Sequence, residues 1–117
     1  MQDIVQETLE SMKDYVPRLA AASEQIAHDI QTHQAGWLDT LMAYLEGLDW
    51  LISAVNGIQR LDRRFLEGWN VELIKPLIDQ MGEAMEQKDF VSLCDLLQYE
   101  LRPTLESCEN QLRGMVQ

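Results

Sequence analysis

Eight residues spaced by 4, 3, 4, 3, 4, 3 and 4 positions open the chain: Val5, Leu9, Met12, Val16, Leu19, Ser23, Ile26 and Ile30. That alternation is one buried seam of an α-helix, and no β-strand keeps such a period. Similar seams recur in three later segments, so the sequence predicts an all-α fold. The first helix spans about 2–32. Pro17 lies inside it, yet the seam keeps its phase on both sides. Either one helix is kinked there, or a break near Tyr15–Val16 lets Pro17 open a second helix at its first turn.

The period lapses over Thr32–Gly36, which marks a turn. A second helix is expected over about 36–59. Its apolar residues are Trp37, Leu38, Leu41, Met42, Tyr44, Leu45, Leu48, Leu51, Ile52, Val55 and Ile58. They cover an arc of about 200°, wider than a simple amphipathic stripe. From Arg60 to Asn70 the pattern is less regular, with Leu61, Phe65, Leu66 and Trp69 still at helical spacing and Asn70 suited to cap the next helix. A third helix over about 71–87 points Leu73, Ile74, Leu77, Ile78, Met81 and Met85 inward, with Pro76 near its start. After Lys88, Asp89 can cap a fourth helix whose seam is Phe90, Leu93, Cys94, Leu97, Leu101, Leu105, Cys108, Leu112 and Met115. Pro103 interrupts that seam without shifting its phase. The natural assembly is a single-domain, antiparallel up-down-up-down four-helix bundle with proline-kinked helices.

The chain of 117 residues is long enough for one core, and 20 acids against 9 bases leave a net charge of −11. Residues 1–57 carry 2 bases and 9 acids, net −7; residues 58–117 carry 7 and 11, net −4. Such a surface repels nucleic-acid phosphates and anionic membranes, and it accepts a basic partner. The one basic cluster, Arg60, Arg63 and Arg64, has Asp62 and Glu67 as neighbours. With no basic leader or apolar run of membrane-spanning length, the expected location is cytoplasmic. Cys94 and Cys108 would stand about 21 Å apart along one helix, too far for a disulfide.

Catalytic patterns are sparse. Glu-x-x-Glu occurs at Glu7/Glu10, Glu83/Glu86 and Glu106/Glu109, a spacing that puts both carboxylates on one helix face and can hold a divalent metal. All-helical nucleotide pyrophosphohydrolases use such pairs, so a metal-dependent nucleotide hydrolase is the competing reading. Here the pairs fall away from the seams, whereas bundle metal ligands project inward. His28 and His33 do not align on a helix, but Glu24/His28 and Asp29/His33 can form surface pairs. The seam cysteines read as buried small hydrophobes. No metal, cofactor or catalytic residue is assigned.

The sharper signals are apolar residues on the wrong face. Ala43, Gly47, Trp50, Ala54 and Gly57 form a second stripe on the second helix, four small residues around one tryptophan. This stripe is either a partner interface with Trp50 as anchor or part of the enclosing bundle. Leu96 and Tyr99 lie off the fourth seam, and form a partner or dimer patch or pack beneath the segment 60–70. The chain therefore reads as a non-enzymatic protein-binding module (an adaptor, a chaperone or a small regulator) for a protein partner or a second copy of itself, working through helix-in-groove capture.

The segment running from Asp89 to Leu105 resembles a pattern of small, acidic, uncharacterised helical proteins from Firmicute-type bacteria. Asp89, Phe90, Asp95, Leu96, Leu97, Tyr99, Glu100, Leu101, Pro103 and Leu105 carry the match. Tyr15-Val16-Pro17 and Glu46-Gly47-Leu48-Asp49-Trp50-Leu51 are similar to two earlier blocks of that group. The resemblance implies a helical fold and no established activity. Size, charge and architecture are also similar to flagellar export chaperones, without a shared motif.

Overall fold

A computed structural model describes the backbone of residues 2–61 and 73–115 and the side chains of 4–61 and 73–114. The Arg63–Arg64 part of the basic cluster, the Phe65–Trp69 stretch, the Asn70 cap and the expected start of the third helix at 71 lie outside the described residues. Among the described residues the chain is all-helical, with no strand. Helix α1 covers Gln2–Gln31, α2 Trp37–Leu61 and α3 Ile74–Glu86. A final rod follows without interruption as α4 (Phe90–Asp95), a π-helical segment (Leu96–Leu101) and α5 (Arg102–Met115).

Helix α1 passes through Pro17 as one element. All eight residues of its seam are buried, and Ala20 and Ala27 join them. It is covered by α2 along one side and by the final rod along another. Ser23 occupies a seam position with no exposed surface. Its hydroxyl donates to the Leu19 carbonyl at 3.0 Å. That uses its single proton, so the Tyr44 hydroxyl, 2.6 Å away, donates to Ser23 Oγ. Burial pushes the Tyr44 phenol above its ordinary range.

The contacts between α1 and its neighbours run in opposite chain order. Ser23 meets Tyr44 while Tyr15, earlier in α1, meets Trp50, later in α2. On the other side Cys94 Sγ lies 3.7 Å from the Ala27 carbonyl, and Arg102 reaches Glu24 at 3.4 Å. Helix α3 packs on α4 and the π-helical segment.

Turn chemistry at two helix ends is the same. After α1, His33 N–H donates to the Ile30 carbonyl at 3.2 Å and Gln34 N–H to Asp29 at 2.9 Å. After α3, Lys88 N–H donates to Met85 at 3.1 Å and Asp89 N–H to Ala84 at 2.8 Å. Both are Schellman motifs, which need one residue in the left-handed region. His33 (φ 56°) and Lys88 (φ 57°) fill that place instead of glycine. Asp89 then caps α4 as its sequence position suggested, accepting from Ser92 N–H at 3.1 Å and Ser92 Oγ at 2.6 Å. The Ser92 hydroxyl, and then its N–H, hold the Asp89 carboxyl below its usual value. Pro76 is the third residue of α3, where no intrahelical acceptor awaits an N–H.

The final rod explains how its seam crosses Pro103. Leu93, Leu97, Leu101 and Leu105 are buried at a constant spacing of four. In a uniform α-helix each such step drifts by about 40°, so the four leucines would spiral off one face. The wider π turn takes up the surplus residue, with Arg102 N–H donating to Leu97 five residues back. It ends just ahead of Pro103, where an α turn would press the ring on the carbonyl four residues earlier. The Thr104 hydroxyl donates to the Glu100 carbonyl at 2.8 Å, a second support for this stretch.

Several expected seam positions are not inward. Leu38 and Met42 of α2, Leu73 before α3 and Phe90 at the start of α4 are exposed, whereas Trp37 and Leu45 are half-buried and pack against the core. The α2 arc is narrower than its apolar composition because only part of that helix is covered. Ala84, not counted inward from the sequence, is buried on α3.

Candidate functional site

Two surface depressions contain the residues singled out in the sequence. The first, about 650 Å3, lies between α1 and α2. Helix α1 contributes Ser11, Asp14, Tyr15 and Arg18; α2 contributes Ala43, Glu46, Gly47 and Trp50. On each helix these residues share one face at i, i+3, i+4 and i+7, so both helices present a full ridge.

Gly47 makes the geometry possible. It is buried against α1, and a Cβ there would collide with Tyr15 Oη and lie 2.9 Å from Leu19 Cδ2. The close approach that the small-residue stripe permits is thus taken up at Gly47 by α1. Tyr15, held in that notch, meets the Trp50 indole edge-on, with centroids 5.4 Å apart and planes at 85°. Trp50 remains 41% exposed. Of the other stripe residues, Ala43 and Gly57 are exposed and Ala54 is half-buried against the core. The Asp14 and Glu46 carboxylates flank the aromatic pair, with Arg18 the only base in the lining.

The second depression, about 490 Å3, lies between α3 and the final rod. Leu96 is half-buried against the core there, and Tyr99 is 70% exposed. Glu83, Asp89, Asp95 and Glu100 line it, with no basic residue. Of the two placements open for Leu96 and Tyr99, packing beneath 60–70 concerns residues mostly outside those described. Sequence reasoning missed a third apolar feature, the edge-to-face pair of Trp37 and Phe90 at 5.6 Å. Both belong to expected seams; the signal is that each opens its helix, where one turn has neighbours on one side only.

The candidate chemistry disperses. Both thiols are free and buried, with Cys108 pushed up to about 11 by burial and Cys94 raised by burial and then by Asp95. Thiols held protonated are poor nucleophiles. His28 and His33 are exposed. Their expected acidic neighbours bind elsewhere: Glu24 pairs with Arg102 and Asp29 accepts from Gln25 at 2.8 Å. Glu109 pairs with Arg113 and Glu106 with Arg102. Among the described residues no three His, Cys, Asp or Glu side chains gather as a metal site, and no helix is long and apolar enough to cross a membrane.

The model of a family described as a domain of unknown function, DUF8042, matches residues 7–111, and the chain belongs to that family. That span includes both depressions. No curated protein and no solved structure matches the chain.

Proposed function

We propose that this member of the DUF8042 family is a non-enzymatic protein-binding module, an adaptor, export-type chaperone or small regulator, acting through apolar helix faces. The observation that carries this reading is Trp50: a large exposed indole fixed before any partner arrives by the Tyr15 ring. An anchor already held in place loses little side-chain freedom on binding, and tryptophan is among the residues enriched at interface hot spots. The reading places a protein partner or a second copy against this face, in the cytoplasm of a bacterium, with no nucleic acid or membrane involved. It takes the fold as an up-down-up-down four-helix bundle; the opposed order of the α1–α2 and α1–rod contacts supports that topology. Bends at Pro17, Pro76 and Pro103 would let the helices adjust around a client.

The test compares wild type with Trp50→Ala in cross-linking and affinity capture from the source cell, with light scattering for self-association. The variant is expected to fold and to lose a partner, or a dimer, that wild type holds. Retention of every wild-type contact by the variant sinks the reading. The competing hydrolase draws no support from the Glu-x-x-Glu pairs, whose carboxylates stand at the surface or in ion pairs. Saturable magnesium or manganese binding in calorimetry, with phosphate release from nucleotides, would revive it.

A further inference from the structure

We infer that the α1–α2 groove receives a cationic amphipathic helix of a protein partner, its apolar side on Trp50 and its bases on the carboxylates of α1 and α2. The inference rests on the protein-binding reading above and names the chemistry of the partner.

Shape and charge argue for it separately. Toward the start of α1 the groove face continues through Ser11 and Thr8 to Ile4, and on α2 through Ala54 and Gly57 to Leu61. Each set repeats at i, i+4, i+7 and i+11, so each follows one helix face. From Ile4 to Arg18 the trough runs about 21 Å, the length of roughly four helical turns. Its floor is small: Gly57 has open space where a Cβ would stand, and Ala54 is half-buried. Where α1 begins and α2 ends the trough has an apolar, exposed end, Ile4 on one helix and Leu61 on the other. A floor of small residues between Trp50 and that apolar end admits a helix backbone.

The charge fixes the sign of the occupant. On α1, Glu7 and Glu10 share the face of Asp14 and are exposed; on α2, Glu46 is exposed on the face of Trp50, whereas Asp49 lines a separate depression with Lys75 and Asp79, and Arg18 is the base in the groove lining. The stretch 1–57 that builds both ridges is net −7. The groove carboxylates are strung along the trough rather than gathered, and no cluster of three metal-capable groups exists among the described residues. A row of separated acids complements a helix with lysine or arginine on successive turns, not a point cation.

The test uses a fluorescein-labelled helical peptide of about 18 residues, built from leucine, alanine and lysine with apolar positions at i, i+3 and i+4, and a twin with glutamate for every lysine. Three proteins are compared by fluorescence anisotropy: wild type; Asp14→Lys/Glu46→Lys in the groove; and Glu83→Lys/Glu100→Lys in the α3-side depression, which changes the net charge equally. All substituted residues are exposed, and thermal melts check folding. The lysine peptide is expected to bind wild type and the α3-side variant alike, to lose about tenfold or more in affinity for the groove variant, and to weaken with salt. The glutamate twin is expected not to bind. Equal loss in both variants would mean diffuse attraction to an acidic protein, and equal binding of both peptides would mean a purely apolar site; either overturns the inference. So does self-association of wild type through Trp50 that excludes the peptide. Should Trp50→Ala lose its cellular partner while the groove variant keeps the lysine peptide, the basic-helix assignment falls and the protein-binding reading stands.

Discussion

Ser23 and Tyr44 share a 2.6 Å hydrogen bond between α1 and α2, and it is the polar contact inside the otherwise apolar seam of α1. The pair is asymmetric. Ser23 also bonds its own helix at Leu19, whereas the Tyr44 hydroxyl depends on Ser23. Ser23→Ala therefore leaves a buried hydroxyl without its acceptor, at a cost of about 1–3 kcal/mol, while Tyr44→Phe costs nearer about 1 kcal/mol. The double variant Ser23→Ala/Tyr44→Phe is expected to recover part of the Ser23→Ala loss. Urea unfolding of the four proteins measures the coupling; simple additivity would show that the bond contributes nothing specific.

Gly47 and Gly57 sit ten residues apart on α2 and should respond oppositely to alanine. Gly47→Ala drives a methyl into Tyr15 and Leu19, with an expected loss of about 1–3 kcal/mol. Gly57→Ala meets nothing within 4 Å and should gain about 0.5–1 kcal/mol from helix propensity. Thermal melts suffice, and a neutral Gly47→Ala would show that Tyr15 can leave its notch. In that event the edge-on contact with Trp50 should change as well, visible in near-ultraviolet circular dichroism.

The two left-handed residues offer an independent check on the caps. Lys88→Gly and His33→Gly remove a Cβ from a conformation that L-residues adopt at a cost of about 1–2 kcal/mol. Each should raise the melting temperature. Asp89→Ala should lower it, because Ser92 N–H loses its acceptor. A drop on Lys88→Gly would contradict the Schellman geometry at that end.

Alkali should unfold the protein earlier than its surface charge alone would. The Cys108 thiol ionises near 9.0 when unfolded and near 11 in the fold. Between those values the unfolded chain releases a proton that the native chain keeps, so stability falls as pH rises, and is complete below about 9. Tyr44 acts in the same direction from about pH 10 upward. Denaturant titrations from pH 7 to 11 should show this decline, and Cys108→Ala should flatten its first part. An unchanged slope in that variant would remove Cys108 as the cause.

The seam of helix 1 could be read because it is one narrow stripe, all eight of whose residues are buried. Helix 2 could not. Apolar residues circle much of it, and a wheel drawn for one helix does not say which part another helix will cover; hence Leu38 and Met42 emerge exposed while Gly47 is buried. Trp50 stood out as an apolar residue off the seam. Its partner Tyr15 did not, since that contact depends on how α1 is rotated against α2. Arg102 taking Glu24, rather than His28 doing so, is a long-range choice of the same kind. The π turn lies beyond the sequence reading, which carries the seam across Pro103 as one α-helical phase; the three spacings of four from Leu93 to Leu105 find their explanation only in the structure.

That turn has a consequence for how the chain tolerates length changes. Deleting one residue elsewhere in a helix rotates everything beyond it by about 100° and turns its seam toward solvent. Within 96–101 the same deletion would bring Leu93 and Leu105 to a separation of eleven, close to three whole α turns, and leave both halves of the rod facing the core. The final rod thus holds one spare residue, and its reading frame against the rest of the molecule can lose a position there without losing its address.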